Sequence, residues 1–484
     1  MDAQARPRPA APDLAAVKPL LPWLVAVAFF MESLDTTILN TGVPVIADAL
    51  NVTALSMKAV LSSYTLALAV FIPISGWMAD RFGTRRVFAS AIGLFTLGSL
   101  LCGLATNIHW LVAFRVLQGM GGAMMAPVGR LILVRTFDHR ELVRAMSFVS
   151  IPTLIAPMLG PLLGGLIVDY LHWRVIFFVN IPVGLAGMAL VAMKLPNFRD
   201  PKPRPLDFLG LILFSSGVAL LSYVLEVFGE HRLGVGGVLG LLAIAGLLLF
   251  GYGLHAARTT FPLLILGLFR IRTFATAVSG SFITRLGIGG APFLLPLLYQ
   301  VGFGLTPVQS GLLIMPQAIG SMASKFLLPR ILDRFGYAGV LRVNTLSVGV
   351  LLALFGFISA RTPIWLIVML ALAYGALTSL QYTSMNTLIY ADVPRKQTSG
   401  ASTIASTLQQ LSVSFGVATA GLITLFFLPA DTDDRHLMID GLHKAFWLLG
   451  GFTLISTLIF STLRKGDGEA AKSAPAAAAP SVKG

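Results

Sequence analysis

The chain has 484 residues, 56% of them hydrophobic and only 12% charged, with a formal net charge of +14 and a single cysteine. Soluble domains carry about 25% charged residues, so this composition excludes an ordinary water-soluble fold and makes lipid the expected solvent. The lone Cys102 sits in an apolar run and excludes both an intrachain disulfide framework and a thiolate metal cluster.

Residues 1–18 carry Arg6, Arg8 and Lys18 among Ala and Pro and are too poor in apolar residues to order themselves. The apolar run from Leu20 continues through Val45 and holds Glu32, Asp35 and Asn40. It is long enough to span a bilayer and too long and polar for a cleaved leader. Seven further apolar stretches follow near 58–79, 87–106, 110–134, 145–168, 173–193, 207–228 and 234–256. Six more lie near 273–299, 308–329, 338–359, 363–389, 400–428 and 441–463, before an Ala/Pro/Lys tail after Lys465 that again reads as disordered. Backbone groups in hydrocarbon must be bonded within their own segment, and these runs exceed barrel-strand length, so all fourteen are expected to be helices.

The 35 Lys and Arg residues alternate between loops. With the N-terminus inside, most fall on inner loops and tails, among them Arg81/Arg85/Arg86, Arg135/Arg140/Arg144, Lys194/Arg199/Lys202/Arg204 and Arg395/Lys396. Lys58, Arg174, Arg232, Arg361, Arg435 and Lys444 remain outside, while Arg115, Arg285 and Lys325 stand within spans. The basic excess is therefore topological and implies no nucleic-acid partner. It places both termini in the cytoplasm of a plasma membrane of the bacterial inner type.

The loop after the second span reads Gly76-Trp77-Met78-Ala79-Asp80-Arg81-Phe82-Gly83-Thr84-Arg85-Arg86, and Asp333-Arg334-Phe335-Gly336 repeats its central four residues 253 positions later. Six helices with their loops occupy about 180 residues, so this offset leaves room for roughly two more helices between two halves. The expected fold is all-α and membrane-integral, 6+2+6, with two pseudo-symmetric six-helix bundles at 19–193 and 273–463 and a two-helix insert at 194–272. Parallel halves of this kind place a substrate site between them.

Asp80-Arg81-Phe82-Gly83 with Arg85 and Arg86 resembles the cytoplasmic loop motif of the major facilitator superfamily. Leu34-Asp35-Thr36-Thr37-Ile38-Leu39-Asn40, Arg115-Val116-Leu117-Gln118-Gly119, Gly160-Pro161-Leu162-Leu163-Gly164-Gly165 and the segment from Trp173 to Gly184 resemble its fourteen-helix drug:proton antiporter branch. The stretches around Arg285 and Ser384-Met385-Asn386-Thr387 look most like its MdtD-type exporters. Leu328-Pro329-Arg330 departs from the motif ahead of Asp333. The resemblance implies a proton-coupled exporter of small amphipathic compounds, working by alternating access as a monomer in the bilayer. It implies no cofactor or metal, the proton being the coupling ion. The span-5 motif, with Pro157, Gly160, Pro161, Gly164 and Gly165, favours export over uptake.

Glu32 and Asp35 are three residues apart and share a helix face. Burying a charge at this depth costs about 3 kcal/mol or more, so such residues are functional candidates. Asp35 is the expected main proton carrier, with Glu32 modulating it or touching substrate; fixed ion pairs are the structural alternative. Arg115 stays charged and needs a partner, for which Asp35 is the natural candidate. The repeat offset makes Glu32 and Arg285 pseudo-equivalent, so the pair is expected to meet across the cavity. Asn40, Gln118, Tyr299, Gln300, Gln317, Gln381, Tyr382, Asn386 and Gln410 are candidate cavity liners, edged by Met124, Met125, Phe293 and Met315; each polar one could equally be interhelical glue. Lys325 either snorkels to the interface or, with Arg285, favours an anionic substrate for a facilitator or symporter. Gly76, Asp80, Arg81, Gly83, Arg85, Arg86, Asp333 and Arg334 form the expected latch, holding the outward-facing state through bonds to helix carbonyls or carboxylates. No metal spacing, nucleophile–base pair or cofactor fingerprint points to an enzyme, and short tails speak against a non-transporting receptor.

Overall fold

The computed structural model describes residues 18–201, 203–227, 235–394, 397–427, 434–464 and 466–468. Nearly all of both tails, together with Lys202, Arg395 and Lys396, lies outside the described residues. Fourteen helical spans are long and apolar enough to cross a membrane, and no strand occurs among the described residues.

The first six spans are α1 (Leu21–Ala49), α2 (Lys58–Phe82), α3 (Thr84–Leu104), α4 (Ile108–Thr136), α5 (His139–Tyr170) and α6 (Asn180–Lys194). The insert is α7 (Phe208–Val227) and α8 (Val235–Arg258). In the second half α9 (Arg272–Ile288) is broken at Gly289 and Gly290 before resuming as Ala291–Leu297. A helix over Pro307–Leu354 then bends at Gly336 into α10 (307–335) and α11 (337–354). It is followed by α12 (Ile364–Tyr390), α13 (Thr398–Phe426) and α14 (Arg435–Ser461). An even number of spans returns both ends of the described chain to one face, the terminal face; the opposite one is the distal face.

The sequence repeat has a backbone counterpart. Gly83 has φ +93° and Gly336 φ +67°, a region that side-chain-bearing residues rarely adopt. Both repeats of Asp-Arg-Phe-Gly therefore close a span with the same glycine-dependent turn.

In the first half α1 packs on α5 and α4 on both α2 and α3; in the second, α11 and α9 pack on α14 and α9 on α13. The halves meet reciprocally, α2 against α13 and α5 against α10, so the second helix of each half meets the fifth of the other. Helix association in lipid draws on close packing rather than on the hydrophobic effect, and small residues supply it here. A Cβ on Gly164 would collide with the Ile38 carbonyl of α1, one on Gly165 would lie 2.6 Å from the Pro307 carbonyl of α10, and one on Gly311 would collide with the Pro161 carbonyl of α5. The insert covers the α2–α13 seam: Phe214, Val218 and Tyr252 share a cluster with Ala69 of α2 and Leu411 and Phe415 of α13. Exposed Leu239, Leu247 and Phe250 give α8 an apolar outer surface.

Candidate functional site

At the centre of the first half, helix positions spaced by one turn bring a charge network together. Asp35 of α1 and Arg115 of α4 are each only 1% exposed, and Arg115 Nη1 donates to Asp35 Oδ2 at 2.6 Å. The other carboxylate oxygen accepts from Gln118 Nε2 at 2.8 Å and from Asn180 Nδ2 of α6 at 3.3 Å. Gln118 lies one turn beyond Arg115, accepts from Arg115 Nη1 at 2.7 Å and donates to Ser99 Oγ of α3 at 2.6 Å. Arg115 Nε donates to the Val60 carbonyl of α2 at 3.5 Å, and its guanidinium lies over the Tyr64 ring at 4.2 Å. Five spans thus meet in one network around a single carboxylate. Breaking a buried pair on one side leaves an uncompensated charge, at a cost of about 3–5 kcal/mol, so Asp35 and Arg115 constrain the packing of those spans.

Beside the network lies a cavity of about 390 Å³ between the halves. Its first-half wall carries the charged and polar groups Glu32, Ser33, Thr36, Thr37, Asn40, Tyr64, Arg115 and Arg130 alongside apolar Phe29, Leu61 and Ala126; its second-half wall is Gly289, Pro292, Phe293, Val413 and Val417, with Gln410 its polar member. On the distal side the halves are joined. Gln300 Nε2 donates to the Thr41 carbonyl at 2.9 Å, the Val308 N–H to Asp169 Oδ2 at 3.0 Å, and Ser414 Oγ to the Ser62 carbonyl at 3.0 Å. On the terminal side Gly76 faces open space, and Phe82 and Phe335 are exposed. The protein is closed on its distal side.

Several expected site residues are placed elsewhere. Arg285 does not pair with Glu32: it donates to Ser281 Oγ at 3.1 Å and Asn386 Oδ1 at 3.4 Å and lies over Tyr382, while Glu32 makes no hydrogen bond or ion pair among the described residues. The two sit on different halves, and the halves are joined on the distal side in this conformation. Gln381 is glue rather than a liner, bonded to Thr345 Oγ1 at 2.7 Å and Asn344 Nδ2 at 2.8 Å between α11 and α12. Tyr299 is buried in the core, Gln300 ties the halves together, and the backbone of Gln317 packs against Gly375. Met124 and Met125 pack in the first-half core rather than edging the cavity. Lys325 is exposed and is not part of the cavity wall. In the loop motif Asp80 pairs with Arg135 of α4 at 2.8 Å, whereas the side chains of Arg81, Arg85 and Arg86 form no bond among the described residues; the segment 196–200 covers the motif, with Asn197 Oδ1 accepting from the Arg85 N–H at 3.2 Å and the Asp80 carbonyl from the Asp200 N–H at 3.1 Å. Gly160 and Gly164 pack against Thr37, Ile38 and Thr41 of α1, so the span-5 motif seats the helix that carries Asp35.

Sequence reasoning missed Arg130, which lies within the stretch 110–134 and lines the cavity, and Tyr64 and Ser99, whose partners arrive from other spans. Asn180 stood inside a quoted motif, yet nothing in its neighbours along the chain pointed to Asp35.

The sequence profile described as Major Facilitator Superfamily matches residues 25–417 and 277–483. A protein named "Putative multidrug resistance protein MdtD" from Cronobacter sakazakii is 41% identical over 418 residues, 86% of this chain and 88% of its own length. One of the same name from Escherichia coli O6:H1 is 40% identical over 420 residues, again 86% and 88%. Among solved structures, a D-xylose-proton symporter superposes with a TM-score of 0.67 at 14% identity, covering 93% of this chain and 98% of its own. A POT family transporter in complex with 5-aminolevulinic acid superposes at 0.69 and 14%, covering 94% and 96%. These distant structures establish the fold. The chain belongs to the major facilitator superfamily and is a multi-pass membrane transporter of its MdtD type rather than an enzyme.

Proposed function

We propose that this superfamily member is a proton-driven exporter of small amphipathic compounds that works by alternating access, with Asp35 as the proton carrier. The observation that carries the reading is the position of Asp35: fully buried, bonded by three donors, and linked through Arg115 to the wall of the cavity. A carboxylate so placed is stable only while its counter-ion stays. Protonation would neutralise it, release Arg115 and loosen the junction of five spans, which couples proton binding to helix rearrangement. Glu32, on the same face of α1 and in the cavity wall, would couple substrate occupancy to that event.

With the positively charged face in the cytoplasm, closure on the distal side supports a cavity that loads from the cell interior. The relatives' name, multidrug resistance protein, supports export of varied compounds. A wall that carries polar and charged groups, facing a mostly apolar one, suits amphipathic molecules. Proton entry contributes about 2.3 kcal/mol per charge per 100 mV, plus the pH term.

Proteoliposomes with an imposed pH difference test the reading. Wild-type protein should concentrate an amphipathic dye that carries a carboxylate, and Asp35→Asn should lose uphill accumulation while still exchanging dye down its gradient. Uphill accumulation by Asp35→Asn would overturn it.

A further inference from the structure

The two halves each hold a buried arginine lying over a tyrosine ring. In the first, Arg115 over Tyr64 at 4.2 Å is neutralised by Asp35. In the second, Arg285 over Tyr382 at 3.9 Å has no carboxylate within ion-pair distance among the described residues. Arg285 is 8% exposed, and its protein acceptors are neutral: Ser281 Oγ at 3.1 Å and Asn386 Oδ1 at 3.4 Å. A guanidinium has five N–H donors in a planar fork and does not deprotonate, so three of them find no acceptor in the described protein. Asn386 is an exposed residue, and Gln409 Nε2 shares its amide oxygen at 2.8 Å, fixing the rim of the group.

Arg285, Tyr382, Ser281 and Asn386 are not themselves in the wall of the cavity, but chain neighbours of the group are. Gly289, one turn along α9 from Arg285, lines it, as does Gln410, next to Gln409 on α13. Beside it the second-half wall is apolar, with Pro292, Phe293, Val413 and Val417.

We propose that Arg285, stacked on Tyr382 and flanked by Ser281 and Asn386, is an anion-binding subsite that takes the carboxylate of a small organic substrate. The ligand supplies the counter-ion that Asp35 supplies in the other half, and its apolar body lies along Phe293 and Val413. Arginine suits this task because its fork bonds both oxygens of a carboxylate at once. The tyrosine face holds the fork flat, so little is lost in ordering it on binding. The proposal deepens the exporter reading by naming the substrate class and rests on it for its physiological meaning. Binding, however, is measured without transport, so its failure leaves the coupling test untouched.

The experiment measures thermal unfolding of the purified full chain in detergent at constant pH, with 2-naphthoate, its neutral isostere 2-naphthamide, and sodium chloride as probes. A ligand that binds the folded state stabilises it by mass action. Naphthoate should raise the midpoint in a saturable way and naphthamide should not. Arg285→Gln should weaken naphthoate binding at least tenfold. If Arg285→Gln does not fold, Tyr382→Leu removes the ring while keeping the charge and should weaken binding severalfold. Equal shifts by naphthoate and naphthamide, or undiminished naphthoate binding in both variants, would refute the subsite. A shift by chloride matching that of naphthoate at equal concentration would overturn the organic occupant in favour of a solvent anion.

Discussion

Replacing Gly165 by alanine should tip the protein from its distal-closed toward a distal-open conformation. The added Cβ would lie 2.6 Å from the Pro307 carbonyl oxygen and 2.9 Å from both Pro307 C and Val308 Cα. All three are backbone atoms at the start of α10, so no rotamer change relieves the contact. Ordinary Cβ contacts begin at 3.4 Å, so α5 and α10 must separate by about 0.8 Å just where the Val308 N–H meets Asp169. Overpacking of this kind costs about 1–3 kcal/mol. Because the clash exists only while the distal side is closed, that cost falls on one conformation, and at about 1.4 kcal/mol per factor of ten the ratio of states should move roughly 5- to 150-fold. Spin labels at the exposed positions Tyr170 and Ala360, one in each half, would report the change as a longer distance; the fully buried Cys102 leaves the labelling specific. Gly160→Ala is the control, because its Cβ meets Thr37 and Ile38 within the same half: it should lower the unfolding temperature without lengthening the distance. An unchanged distance distribution in Gly165→Ala would refute the reasoning.

The Asp35–Arg115 network predicts strong non-additivity. Arg115→Gln alone leaves an acid without its counter-ion and should destabilise the protein by about 3–5 kcal/mol, whereas the double variant Asp35→Asn/Arg115→Gln should recover much of that in thermal unfolding; additive losses would mean that the two do not act as a pair. At the terminal-face start of α7, Asp207 accepts from His255 Nε2 at 2.7 Å, the Gly210 N–H at 2.8 Å and the Leu263 N–H at 3.0 Å. Burial pushes its carboxyl up, but these bonds outweigh burial and hold it below the usual carboxylate range. A depressed value means stability that is present above the unfolded value of about 3.9 and lost as pH falls through the folded one. Asp207→Asn should therefore unfold at a lower temperature than wild type at pH 6–7, with the gap closing below about pH 4; a gap that persists unchanged in acid would contradict the assignment.

Much of the architecture was legible along the chain because lipid imposes a one-dimensional rule. Each span must be long and apolar, so the fourteen spans stand out, and a charge inside one is conspicuous because it is costly. That is why Asp35, Glu32, Arg115 and Arg285 could be picked out in advance, and why Asp-Arg-Phe-Gly, recurring after 253 residues, marked two equivalent turns that the backbone realises at Gly83 and Gly336. Tertiary structure alone decided which groups meet. Whether Asp35 collects Gln118, Asn180 and Arg115, whether Gln381 faces the cavity or Thr345, and whether Glu32 reaches Arg285 all depend on the rotation and depth of helices. Sequence spacing sets a side chain's face relative to its own helix, but contact between helices is set by packing at residues such as Gly160, Gly164 and Gly165, many positions away from the charges they bring together.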